Sequence, residues 1–467
     1  MNICTSCGRE FEAGSDSESL CPQCAAESGS STLAAQTLRV EGGTRASAME
    51  VSPRRRRLWL ESPTLALIAL NVLVYLAMAA QGHGFFLFDS ELLLRWGANS
   101  GALTSSGQWW RLLSSTFEHG GLIHIALNMW CLYNLGWLAE LLFGRRRFTL
   151  LYLLCGIGGS LGSICWRGNG LSVGASGAIF GIAGALIPAM MLHGNPQLRA
   201  ALKSQLSSVA LFVFYNLAFG AAVPGIDNAA HIGGLLTGLV LGAAYPTGLE
   251  RRMPSGRRRA LAGTVLMLLA FAGAASFARR HNQAYIEGEN ASDAYARGDV
   301  NGAIAHAQRA VAIKPEDAHS QFMLGALLMD QRRYSEAVAP LARTTQLRPE
   351  FGPAYIELCA AQFGMKQLPE ALASCEHGAQ FSPRDSDSWL NLGRVRYAMG
   401  NFNGARDALA KAVALQPQGF DENLQYALML IATGDEAKAV PYLQKAHDLH
   451  PQDADVSRIL EQTRGRQ

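Results

Sequence analysis

The sequence predicts an all-α chain in three parts: a polytopic membrane helix bundle, an α-solenoid after it, and a small zinc-ribbon-like module ahead of both. Three observations carry this. Seven apolar runs lie between residues 63 and 278, a 34-residue period fills the remainder, and two CxxC pairs open the chain. Composition agrees, since 49% of the 467 residues are hydrophobic and 16% charged, well under the roughly 25% charge of ordinary soluble domains. Net charge is +3, and the arginines form short clusters instead of covering one face, which argues against nucleic acid as a partner.

The first element is residues 1–28. It has no apolar core of the kind a signal peptide needs, so no cleavage is expected. Cys4, Cys7, Cys21 and Cys24 have the spacing of zinc-ribbon knuckles, in which four thiolates complete a tetrahedral shell and the metal replaces a hydrophobic core too small to form. One structural Zn2+ is expected, with no open coordination position for catalysis. Two disulfides or unliganded thiols are the alternative, and a cytoplasmic location weighs against disulfides. Residues 29–57 are small and polar and read as a flexible linker.

The apolar runs lie near residues 63–81, 120–143, 148–166, 174–193, 205–223, 228–247 and 260–278, each close to the roughly 20 residues a bilayer requires. Orientation follows from the basic clusters. Arg54 to Arg57 precede the first span, and Arg145 to Arg147 separate the second and third. Arg199 and Lys203 separate the fourth and fifth; Arg251, Arg252 and Arg257 to Arg259 separate the sixth and seventh. All fall on one side, which predicts a cytoplasmic N-terminus and a periplasmic or extracellular C-terminal part in a bacterial inner membrane. Arg279 and Arg280 oppose this mildly.

With that topology the second, fourth and sixth spans all begin on the outer side. His124, Ser176 and His231 then fall three to five residues into them, about 4 to 8 Å below the surface at roughly 1.5 Å per residue. Asn128 lies one turn below His124 on the same face. Polar groups in a bilayer are costly and face the protein interior. A serine hydroxyl becomes nucleophilic when an imidazole accepts its proton, which assigns Ser176 as nucleophile and His231 as general base. The Asn128 amide, the His124 ring and the Ser176 backbone N–H, with Gly174 beside them, would receive the oxyanion. Gly177, Gly181 and Gly184 on one helix and Gly234 and Gly238 on the other permit the close approach this needs. Asp227 lies in the preceding loop and reads as solvated, so a dyad is expected, its imidazole held by packing against Phe180. Each signal has a bland alternative: small-residue packing for the glycines, an interhelical hydrogen bond for His124 and Asn128, a metal pair for His119 with His124. Together they point to catalysis.

This set resembles the rhomboid family of intramembrane serine proteases over roughly residues 58–250. The resemblance rests on Trp110-Arg111, on His119 through His124 to Asn128, on Glu140 with Phe143-Gly144, on Gly174-Ala175-Ser176-Gly177, and on His231-Ile232-Gly233-Gly234 with Gly238. It implies a six-helix core, a Ser/His dyad, an oxyanion site at His124 and Asn128, no catalytic metal, and cleavage of transmembrane substrates. It also implies lateral substrate entry beside residues 208–219, with the loop before the sixth span as a cap. Trp109, Trp110 and Arg111 suit an interfacial loop in which Arg bonds carbonyls or phosphates. The seventh span, within residues 251–280, is an addition whose expected task is to carry the chain back across the membrane.

From residue 281 onward, prolines at Pro315, Pro349, Pro383, Pro417 and Pro451 and alanines at Ala303, Ala337, Ala371, Ala405 and Ala439 keep the 34-residue step of tetratricopeptide repeats. Gly298, Gly400 and Gly434 share the turn between paired helices, and Trp389 to Gly393 resembles the repeat's first-helix pattern. Five repeats and a closing helix near residues 452–464 are expected, offering a groove for a peptide or protein ligand or serving as a rigid spacer. Cys359 and Cys375 are read as buried small residues that could oxidise on the outer side. Two functions follow: an intramembrane endopeptidase whose solenoid recruits partners, or a catalytically silent scaffold that binds transmembrane clients.

Overall fold

The computed structural model describes residues 2–3, 10–11, 62–81, 84–168, 170–192, 195–248 and 253–466. At the N-terminus β1 (Asn2–Ile3) pairs antiparallel with β2 (Glu10–Phe11). The expected zinc ligands Cys4, Cys7, Cys21 and Cys24 lie outside the described residues.

The bundle is built from α1 (Pro63–Ala79), α5 (Leu122–Phe143), α6 (Arg145–Trp166), α7 (Ser176–Met191), α9 (Lys203–Ala222), α10 (Asn228–Ala244) and α11 (Pro254–His281). Four of these, α5, α6, α9 and α11, are long and apolar enough to cross a membrane, and α1, α7 and α10 are apolar but of 16 or 17 residues. α7 sits at the centre, with Ile179, Ile182, Ala183, Ala185 and Leu186 buried. The outer helices turn large apolar side chains outward, as Trp130, Leu141 and Phe214 do, which suits a lipid surround.

Close packing at the centre follows from glycine. A Cβ on Gly234, Gly238 or Gly242 of α10 would lie 1.9, 1.8 or 2.4 Å from the carbonyl oxygen of Gly177, Gly181 or Ala185 of α7. Three successive turns of the two helices therefore meet backbone to backbone. Gly233 presents a second small face, 2.5 Å by the same measure from the Gly158 carbonyl of α6. At the far end, Glu140 of α5 accepts from Ser62 (2.7 Å) and Thr64 (3.0 Å) and pairs with Arg145 at 3.5 Å.

Between α1 and α5 runs a folded connection containing α2 (Ser90–Trp96), β3 (Asn99–Ser100), α3 (Gly101–Ser106) and α4 (Arg111–Ser114); β3 pairs with β4 (Leu171–Ser172) of the segment before α7. A short α8 (Pro196–Ala201) precedes α9.

The C-terminal array is five helix pairs and a closing helix: α12 (Gln283–Ala296) with α13 (Val300–Ile313), α14 (Ala318–Asp330) with α15 (Tyr334–Leu347), α16 (Gly352–Gly364) with α17 (Leu368–Phe381), α18 (Ser386–Ala398) with α19 (Phe402–Leu415), α20 (Phe420–Ala432) with α21 (Glu436–Leu449), then α22 (Ala454–Arg464). Each repeat proline stands two residues past its second helix, and all five repeat alanines are fully buried. Gly298, Gly400 and Gly434 turn with φ near +80°, and in the two remaining repeats Arg332 (φ 55°) and Lys366 (φ 62°) adopt the same left-handed turn, at a cost of roughly 1–2 kcal/mol each. Cys359 and Cys375 are joined in a disulfide between α16 and α17, with Cα atoms 5.2 Å apart. Their reading as two separate buried thiols is corrected by this pairing.

Candidate active site

The site forms where α5, α7 and α10 begin on the same side of the bundle. Gly174 has φ +120°, a conformation open to glycine, and the turn it makes delays the helix, so that Ser176 is the first residue of α7 and not three to five residues inside it. A Cβ on Gly174 would meet His124 at 2.8 Å and the Asn128 amide nitrogen at 3.7 Å. His124 and Asn128 therefore lie directly against the turn that carries Ser176. Asn128 also donates to the His124 carbonyl at 3.1 Å.

His231 stands one turn into α10, whose N-terminus is capped by Asp227 accepting from the Ala230 N–H at 3.1 Å. Asp227 is thus a helix cap, not a merely solvated carboxylate. The imidazole stacks on Phe180, with centroids 4.2 Å apart and planes 8° from parallel. Its Nδ1 pairs with Asn228 Oδ1 at 3.3 Å, and the Asn228 amide donates in turn to the Leu217 carbonyl of α9 at 3.0 Å. If Nδ1 carries the proton, Nε2 is the basic nitrogen. Among the described residues no hydrogen bond joins Ser176 to His231; such bonds are often long before substrate arrives. Both residues, with His124 and Asn128, line one cavity of about 740 Å³, which Phe212, Phe219 and Ile226 extend toward α9.

The connection before α5 holds the turn that carries Ser176 from behind. The Gly174 N–H donates to the Ser115 carbonyl at 2.8 Å, and the Ala175 N–H to His119 Nε2 at 3.4 Å. The His119 ring packs edge-on against His124, 5.1 Å between centroids. Burial, with His124 beside it, lowers the His119 pKa to about 3, so it is neutral and fit to accept. Arg111 is buried and donates to the carbonyls of Leu94 (2.8 Å) and Ala98 (3.0 Å) and to Gln108 (2.7 Å); of the two roles expected for it, it takes the carbonyl one. Asn99 donates to the Ser160 carbonyl at 2.9 Å. Glu118 is buried with both carboxyl oxygens lacking a hydrogen bond among the described residues; burial raises its pKa to about 8, against the pull of Arg111.

Sequence reading missed Asn228, Ser115 and the supporting role of His119. Asn228 was the most accessible, since it lies three residues before His231 and so on the same helical face.

A family model described as the Rhomboid domain matches residues 106–247, one described as Tetratricopeptide repeat matches 294–361, and one described as Cytochrome c-type biogenesis protein H TPR domain matches 378–463. The chain is 36% identical over 207 residues to "Rhomboid protease GluP" of Bacillus subtilis, covering 44% of this chain and 39% of that protein. It is 33% identical over 203 residues to "Rhomboid protease AarA" of Providencia stuartii, covering 39% of this chain and 72% of the relative. Among solved structures, "MamA 41-end from Desulfovibrio magneticus RS-1" is similar at 21% identity and TM-score 0.34, covering 37% of this chain and 98% of that one.

Proposed function

The chain belongs to the rhomboid family, and from that membership we propose that it is an intramembrane serine endopeptidase whose solenoid binds peptide or protein partners. The observation that carries this is the convergence of Ser176, His231, His124 and Asn128 on one cavity at the ends of three bundle helices.

In the proposed reaction a transmembrane substrate, unwound near the cavity, presents a peptide carbonyl to Ser176 Oγ. His231 Nε2 takes the hydroxyl proton as the C–O bond forms. The tetrahedral oxyanion is met by the Ser176 N–H, unpaired in the first turn of α7, by the Asn128 amide, and by the His124 ring, with the α7 dipole adding positive potential. Collapse expels the amine, protonated by the imidazolium, and leaves an acyl-serine that water then hydrolyses by the same route. Phe180 holds the imidazole plane and Asn228 its rotation. The exposed apolar face of α9 and its link to His231 through Asn228 support lateral entry beside that helix. The basic clusters support an active site and solenoid on the outer face of the membrane.

The test is cleavage of a model transmembrane substrate by the protein in proteoliposomes: Ser176→Ala and His231→Ala should each abolish it. A silent scaffold would leave the substrate intact with wild type as well.

A further inference from the structure

We propose that the junction of α11 and α12 is part of the support of the nucleophile: Asn282 and Tyr285, pressed against Gly168, are positioning residues for Ser176. This rests on the catalytic reading above.

The seventh span does more than return the chain. α11 packs along α6 and α10, with Ala278 fully buried beside Leu112, Leu161 and Ile164, and it ends on the side of the bundle where Ser176 lies. There Asn282, fully buried, donates to the Ile164 carbonyl at 3.1 Å and to Ser105 of α3 at 3.2 Å, bonds that join positions 118 and 177 residues apart. Gly168 is caught between two layers. A Cβ there would lie 2.3 Å from Asn282 Oδ1 and 2.5 Å from the Tyr285 ring, while from the other side a Cβ on Gly101 would lie 2.1 Å from the Gly168 carbonyl.

Gly168 is eight residues before Ser176. Between them β4 pairs with β3, and Gly174 and Ala175 are tied to Ser115 and His119. The segment that delivers the nucleophile is therefore fixed on its inner side by the connection before α5 and at its start by the first solenoid helix. Tyr285 is itself held from the array, since Lys314, just past α13, donates to its hydroxyl at 2.5 Å and lies over its ring. None of these partners in α11 and α12 belongs to the 106–247 domain match. They are features by which this chain couples its solenoid to its protease core. A rigid seat is what a nucleophile needs, because displacement of a reacting group by about 1 Å costs on the order of a hundredfold in rate.

The test uses Asn282→Ala and Gly168→Ala in the full chain in proteoliposomes. The first removes both hydrogen bonds; the second drives a methyl between the layers. Two quantities are read: the limiting rate at which a fluorophosphonate labels Ser176, separated from the probe's half-saturating concentration, and amide hydrogen exchange over residues 170–177. Each variant should lower the limiting rate about ten- to a hundredfold, leave half-saturation within about twofold, and speed exchange in that segment but not in the middle of α7. A wild-type labelling rate in both variants overturns the inference, whatever the exchange shows. If the wild-type protein is not labelled at all, the catalytic reading fails instead, and unchanged exchange would then overturn the clamp as well.

Discussion

Gly238→Ala tests the packing that brings His231 and Ser176 together without touching either. Gly238 lies two turns below His231, and a Cβ there would stand 1.8 Å from the Gly181 carbonyl oxygen and 2.8 Å from its Cα. Ordinary contact begins at 3.4 Å, so α7 and α10 must part by up to about 1.6 Å, the difference between those two distances. No side chain can rotate away, because the obstacle is backbone. The overpacking should cost about 1–3 kcal/mol of stability. The displacement of His231 from Ser176 should lower turnover on the order of a hundredfold, with substrate affinity little changed. Gly273→Ala in α11 is the control, since a Cβ there meets nothing within 4 Å and a helical Gly→Ala change is stabilising by roughly 0.5–1 kcal/mol. The assay is cleavage of a transmembrane substrate in proteoliposomes beside a thermal midpoint in detergent. Turnover of Gly238→Ala within about threefold of wild type would refute the claim that backbone contact between these helices sets the dyad.

Asn228→Ala removes the partner of His231 Nδ1 and should lower kcat up to about tenfold, the worth of one such hydrogen bond, with KM little changed; an unaltered kcat would remove Asn228 from the site. Glu118 is protonated in the fold up to about pH 8 and ionises near 4.5 when exposed. The folded state therefore holds the extra proton, and stability present below pH 4.5 is lost progressively as pH rises toward 8. Glu118→Gln should flatten that fall in a thermal-midpoint series from pH 5 to 8.5, and an equal slope in both proteins would contradict the burial argument. The Cys359 and Cys375 disulfide is expected only if the solenoid faces an oxidising compartment. In intact cells these two thiols should resist alkylation until reduced, and free alkylation would reverse the proposed orientation. Its reduction should cost up to about 3 kcal/mol for a loop of this length.

Much of the architecture was legible because it is periodic. Prolines and alanines 34 residues apart marked every solenoid repeat, and apolar runs marked all seven bundle helices, with two starts matching the expected residue and the seventh helix beginning earlier, at Pro254. Ser176, His231, His124 and Asn128 stood out because polar groups in apolar helices require a reason. What stayed hidden depends on contacts between distant residues. The folded connection between α1 and α5 is short elements stapled by Arg111 and Asn99, and no local period announces it. Asn282 looks like an ordinary helix-end residue until Ile164 and Ser105 are brought beneath it. The left-handed turns at Arg332 and Lys366 carry no glycine to mark them, so residue type alone does not announce them. Cys359 and Cys375 sit 16 residues apart, and only the antiparallel pairing of α16 with α17 makes them neighbours.

The central claim is that Ser176 and His231 act as nucleophile and base on a peptide bond within the membrane. Its most direct measurement is cleavage of a transmembrane substrate in proteoliposomes by wild type, Ser176→Ala and His231→Ala, each shown folded by its thermal midpoint. The account predicts product with wild type and none above background with either variant. Cleavage at the wild-type rate by Ser176→Ala or His231→Ala would contradict it.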